Sequence, residues 1–184
     1  FSALILFSYL CTIFPMKRFL SFILFLTLCI SGYSQKNVEY RLWEDSLIQL
    51  RNQVMNEPNE TTRLELNEDF MTLLESVLQM DNSFKFQWDS VKNFAIMESP
   101  DKLFKLFTWY VLKDDYSAEN FGFIQVYNEG RKKYLLFPLY DKRGNIDYPN
   151  TYIGNQNRWY GAVYYKIVPL KDNKVTYYTL LGWN

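Results

Sequence analysis

SPDKLFKLFTWYVL, residues 99–112, is the stretch on which the fold turns. Ser99-Pro100-Asp101 is a turn former, because proline fixes φ and the short polar side chains bond the local backbone. The ten residues that follow, 103–112, are rich in aromatic and aliphatic side chains and hold no glycine or proline, the composition of a β-strand. Working outward, the same texture returns at residues 93–97, 121–127, 133–140, 159–168 and 175–183. The connectors Asn128-Glu129-Gly130, 141–145 and 171–174 are made of turn residues. Short links between consecutive strands predict antiparallel neighbours and hence a meander of about six strands. Residues 144–158, rich in Asn, Gly and Pro, form the one long loop, and function is to be sought there first.

Upstream of Ser83 the period changes from two to between three and four. Tyr40, Trp43, Leu47, Leu50 and Val54 fall on one face of a helix over 38–57, which Pro58 ends. A second helix follows, with Asn59 or Thr61 as its N-cap and Leu66, Phe70, Leu73, Val77 and Met80 as its stripe, widened by Leu74 and Leu78. Asp81-Asn82-Ser83 stops it. The expected fold class is therefore α+β, an N-terminal helical hairpin packed on the antiparallel meander.

In front of the helices stands MKRFLSFILFLTLCISGYSQ, residues 16–35. Lys17 and Arg18 make a positive start, 19–30 an uncharged, mainly apolar run, and Gly32 and Ser34 a small-residue exit, which is the grammar of a signal peptide over 16–34 cleaved after Ser34. These twelve residues reach about 18 Å as a helix, against roughly 30 Å of hydrocarbon. A membrane hairpin with residues 1–14 is the competing reading, but Pro15, Lys17 and Arg18 leave it no loop. Residues 1–15 are then expected to be an upstream extension translated ahead of Met16, and 35–184 a single domain of periplasmic or secreted location. Lipid attachment at Cys29 is the alternative, weakened by Leu28 where such a signal takes a small residue. The stop at Gly182-Trp183-Asn184, directly after a strand, leads us to expect further sequence beyond Asn184 in the intact protein.

Loss of the leader removes Lys17 and Arg18 and no acid, so eighteen bases face twenty acids and the net charge is −2. No basic field is left to attract nucleic acid, and the membrane is reached only through the leader or a lipid on Cys29. Both cysteines, Cys11 and Cys29, leave as well. The chain contains no histidine, which excludes Ser-His-Asp and Cys-His catalysis and most zinc sites. It carries no phosphate-binding glycine loop, so no cofactor is expected.

Carboxylate, lysine and tyrosine chemistry remains. Asp114, Asp141 and Asp147, with Asp115 and Glu129 nearby in sequence, are the candidates for a carboxylate-based, glycosidase-like hydrolase. Against it, aspartate is at home in turns, and no signature pairs these groups. The aromatic residues are more suggestive. Tyr148, Tyr152, Trp159 and Tyr160, with Tyr164 and Tyr165, could form a platform that stacks on sugar rings or meets a protein. Alternation sends Tyr160, Ala162 and Tyr164 to one face of the strand and Trp159, Gly161, Val163 and Tyr165 to the other. The competing reading is that most of these rings pack in the core.

SPDKLFKLFTW (99–109), WYGAVYYKI (159–167) and YYTLLGW (177–183), together with the leader ending in Ser-Gln, resemble segments of uncharacterised exported proteins of Bacteroidota-type bacteria. The resemblance covers most of 84–184 and implies export, but brings no activity and no catalytic residue. The function expected is non-catalytic binding of an envelope component, glycan or protein through residues 148–165. The alternatives are the hydrolase and a structural fragment of a larger exported protein.

Overall fold

The computed structural model describes residues 39–88, 90–148, 151–173 and 175–184. The leader, with Cys29 and Ser34, lies outside them. The chain divides into two units, Phe1–Leu42 and Trp43–Asn184. Of the first, residues 39–42 are described, and they are helical. Among the described residues no helix is long and apolar enough to cross a membrane.

In the second unit helix α1 covers 43–56 and α2 is Glu60–Leu78. Asn59 is the N-cap of α2: its side-chain oxygen accepts from the Thr62 amide at 3.0 Å and satisfies one of the free donors of the first turn. Phe70, Leu74, Val77 and Leu78 are buried, as the stripe predicts, together with Asn67. Met80 falls beyond the helix end, where Asn82 takes a left-handed φ of 68° and Ser83 Oγ donates to the Leu78 carbonyl at 2.6 Å.

The buried face of α1 keeps Leu47 and Val54 of the expected stripe but has Glu44 and Arg51 where Trp43 and Leu50 were expected. Glu44, Leu47, Arg51 and Val54 are buried, whereas Trp43 is exposed and Leu50 half-buried. The reason is Arg51, whose guanidinium donates to the carbonyls of Asn93 (3.0 Å) and Tyr110 (3.0 Å) and so ties the helix to the sheet. A reading that counts only apolar residues passes over such a face.

The six strands are β1 (Ala95–Glu98), β2 (Phe104–Leu112), β3 (Ala118–Asn128), β4 (Lys133–Tyr140), β5 (Val163–Asp172) and β6 (Val175–Trp183). They do not form one meander. β1-β2-β3-β4 is an antiparallel four-stranded sheet and β5-β6 a separate two-stranded one. The fold class remains α+β.

Register assigns the faces. Lys105, Phe107, Trp109 and Val111 of β2 share one face with their β3 partners Gln125, Phe123, Phe121 and Glu119. This face meets α2: Trp109 packs edge-on against Phe70 at 5.2 Å and its Nε1 donates to Asn67 Oδ1 at 2.8 Å. Burial of each of these large side chains is worth about 1.5–3 kcal/mol. The opposite face carries Phe104, Leu106 and Thr108, and the β5-β6 hairpin lies over it. Thr108 Oγ1 accepts from the Tyr164 amide at 3.1 Å, and Phe104 meets Tyr178 edge-on at 4.9 Å. The order of layers is thus helices, sheet, hairpin.

Candidate functional site

The chain between β4 and β5 is a loop closed at its neck. As β4 ends, Asp141 bridges to Trp159 in parallel fashion. The Trp159 amide donates to the Tyr140 carbonyl at 3.0 Å, and the Lys142 amide to the Trp159 carbonyl at 2.8 Å. Residues 159–162 therefore belong to this neck and not to a strand, which corrects the alternation expected for them. Strand β5 begins only at Val163. An aromatic neck has the composition of a strand, so composition cannot tell the two apart.

Asp141 holds the neck together. Its carboxylate accepts from the Asn120 amide (3.2 Å), the Arg143 amide (3.0 Å) and Arg143 Nε (3.1 Å), and forms an ion pair with Arg143 Nη2 at 3.0 Å. Arg143 also donates to the Ala118 carbonyl at 2.6 Å. Gly161 makes the arrangement sterically feasible. Its φ is +73°, and a Cβ there would stand 2.3 Å from the Asp141 carboxylate. Asp141 is thus committed to anchoring the loop.

Trp159 is 8 % exposed, and its Nε1 donates to the Tyr164 hydroxyl at 2.8 Å. Burial pushes the Tyr164 phenol above its usual range, and the bond from Trp159 partly offsets the rise. The indole is a foundation beneath the loop, with little of its ring at the surface. Of the rings between β4 and β5, Tyr148 is 78 % exposed and Tyr160 36 % exposed, and Ile153, between them in sequence, is 94 % exposed; Tyr165, also exposed, lies on β5. Tyr152 is half-buried; its hydroxyl donates to the Arg158 carbonyl, and the Arg158 guanidinium stands 5.8 Å from its ring centre. Asn155 caps the short 3₁₀ turn Gln156–Arg158 by accepting from the Asn157 amide at 3.0 Å.

These residues enclose a shallow concavity of about 370 Å³, lined by Asn145, Ile146, Asp147, Tyr148, Thr151, Tyr152, Ile153 and Arg158. It brings together Asp147, Tyr148 and Tyr152 from the expected set and adds Ile153 and Arg158. Asp114 is elsewhere: it lies exposed at the β2–β3 turn, paired with Arg63 at 2.9 Å, while its amide donates to Glu60 at 2.6 Å. The neighbouring Asp115 has its carboxyl held below the usual range by the Ser117 hydroxyl and amide, which is turn chemistry. Asp114 and Asp141 are each held by a different arginine.

A larger concavity of about 880 Å³ opens between the end of α2 and the β3–β4 strands. Gln125, in its wall, donates to the Leu78 carbonyl and to Ser83 Oγ, both at 2.9 Å, and its buried Oε1 has no partner among the described residues. Lys105 is buried close by. It donates to the Phe84 carbonyl at 2.5 Å, pairs with Glu98 at 3.2 Å and lies 4.8 Å from the Phe84 ring centre. Neither Lys105 nor Gln125 was expected from the sequence. The available signal was a polar residue in each strand where alternation puts the helix-facing side.

Among the described residues no group of three or more His, Cys, Asp or Glu is placed to hold a metal. Compared with known proteins, the chain matches no family model, no curated protein and no solved structure.

Proposed function

We propose that this is an exported, non-catalytic domain that binds an envelope glycan through the loop between β4 and β5. The observation that carries the reading is the contrast between the loop's base and its crown. At the base, Asp141, Arg143 and Trp159 are engaged with backbone and one another. At the crown, the Tyr148 ring stands exposed beside a shallow concavity that also holds Asp147, Tyr152 and Arg158. A flat ring supplies a stacking surface for a pyranose, while a carboxylate and a guanidinium offer an acceptor and donors to its hydroxyls. A loop fixed at its neck loses less entropy on binding than a free one. The export part of the proposal rests on the leader 16–34, with cleavage after Ser34 and lipidation of Cys29 as its alternative.

The test is a binding screen of the protein, purified from its producing cells, against glycan fragments of the cell envelope, with Tyr148→Ala and Tyr160→Ala as variants. Tyr148→Ala is expected to weaken binding by roughly tenfold or more, the size of an anchor residue. Binding that survives both substitutions contradicts the assignment. Binding to an envelope protein in place of a glycan changes the partner class and retires the carbohydrate reading.

A further inference from the structure

The β5-β6 hairpin has two faces, and among the described residues only one packs on the four-stranded sheet. Pro169 pairs with Tyr178 and Ile167 with Leu180, and Tyr178 meets Phe104, so these residues face the four-stranded sheet. The alternate residues point the other way. On β5 they are Lys166, Val168, Leu170 and Asp172; on β6 they are Val175, Tyr177, Thr179, Leu181 and Trp183. The apolar members are exposed throughout, from 37 % at Leu181 to 63 % at Trp183, and Tyr165 extends the patch by packing on Trp183 at 5.2 Å.

From this face we infer that the protein associates with a second copy of itself, hairpin against hairpin, about a two-fold axis perpendicular to the strands. The size is right. Taking ~150–250 Å² for a large side chain, the seven apolar residues leave roughly 700 Å² exposed per copy. A standard interface takes about 800 Å² from each partner, and Lys166, Thr179 and Asp172 on the same face bring the total to that value. A patch of this extent on one face is far more than scattered surface leucines.

The charges choose the arrangement. Lys166 stands at one end of the β5 row and Asp172 at the other, about 20 Å away at 3.3 Å per residue, so they cannot pair within one copy. A two-fold axis perpendicular to β5 reverses the row, placing Lys166 of each copy over Asp172 of the other and Val168 over Leu170. An axis parallel to the strands leaves both charges facing apolar residues. The face is complementary to itself in only the first of these, as an isologous contact requires.

Sedimentation velocity of the protein purified from its producing cells, from low to high micromolar concentration, tests this. The wild type is expected to shift from monomer to dimer, and Leu170→Asp to stay monomeric with an unchanged circular dichroism spectrum. Lys166→Asp and Asp172→Lys are each expected to raise the dissociation constant about tenfold, since the two-fold axis repeats every pair, and the double exchange to restore it. These exposed charges can be exchanged without touching the core, so they report even where Leu170→Asp does not fold. A wild type monomeric at every concentration, a Leu170→Asp dimer, or a double exchange that fails to restore association overturns the inference.

Discussion

Gly161 and Asp141 form the tightest steric constraint in the loop, and neither acts alone. A methyl at Gly161 meets the carboxylate well inside van der Waals contact, and its positive φ is costly for any other residue. Gly161→Ala is therefore expected to release Asp141 from Arg143 and the Asn120 amide and to lower stability by about 1–3 kcal/mol. Urea unfolding measures the loss, and a midpoint equal to wild type contradicts it. Arg51 is the second critical residue. Its burial lowers the guanidinium pKa to about 10, and its Nη1 has no partner among the described residues, yet it supplies donors to two part-buried carbonyls. Arg51→Met removes an expensive charge but leaves the Asn93 and Tyr110 carbonyls short of donors. The net expectation is a loss of about 2 kcal/mol by the same measurement. A variant as stable as wild type contradicts this and indicates that the charge penalty cancels the bonds.

At the scale of elements, the hairpin is fastened to the sheet by a bond between Tyr178, which donates, and the Asp101 carboxylate in the turn between β1 and β2. This bond is the largest of the causes that hold Asp101 below its ordinary range and Tyr178 above its own. For Asp101 the stabilisation is present above the unfolded value, about 3.9, and is lost as pH falls through the lower folded value. For Tyr178 it is present below about 10 and is lost as pH rises through the higher folded value. Carboxyl carbon NMR is expected to show the Asp101 midpoint rise in Tyr178→Phe, and an unchanged midpoint contradicts the tether. Much of this level could be read directly from the residues. The turn at 99–101, the strand over 133–140, the Asn59 cap and the α2 stripe all follow from local chemistry, which period and propensity report. The split into two sheets does not, because it depends on where a 22-residue connection, 141–162, returns the chain, and no local preference encodes that. The same holds for α1, whose buried face includes Glu44 and Arg51 because of partners far away in sequence. Within the candidate site, Tyr148 and Tyr152 were legible as rings in a polar loop, whereas Tyr160 was read as part of a strand that begins only at Val163. Trp159 was legible as an important residue, but its burial follows from the neck, which only the tertiary structure reveals.

At the largest scale, within the unit Trp43–Asn184, helices, sheet and hairpin are stacked in that order, and the loop between β4 and β5 leaves from the end of the sheet. On this account the loop recognises envelope glycan while the outer hairpin face joins two copies, so that a dimer presents two loops and gains from divalent attachment to a polymeric ligand. The measurement that tests the central claim most directly is an NMR titration of the protein with glycan fragments released from its own envelope, following backbone amides and tyrosine rings. The account predicts shifts concentrated between residues 145 and 160 and on the Tyr148 and Tyr160 rings, with Trp159 Nε1–H still bonded to Tyr164. Saturable shifts that leave this loop untouched, or no shifts with any fragment, contradict it.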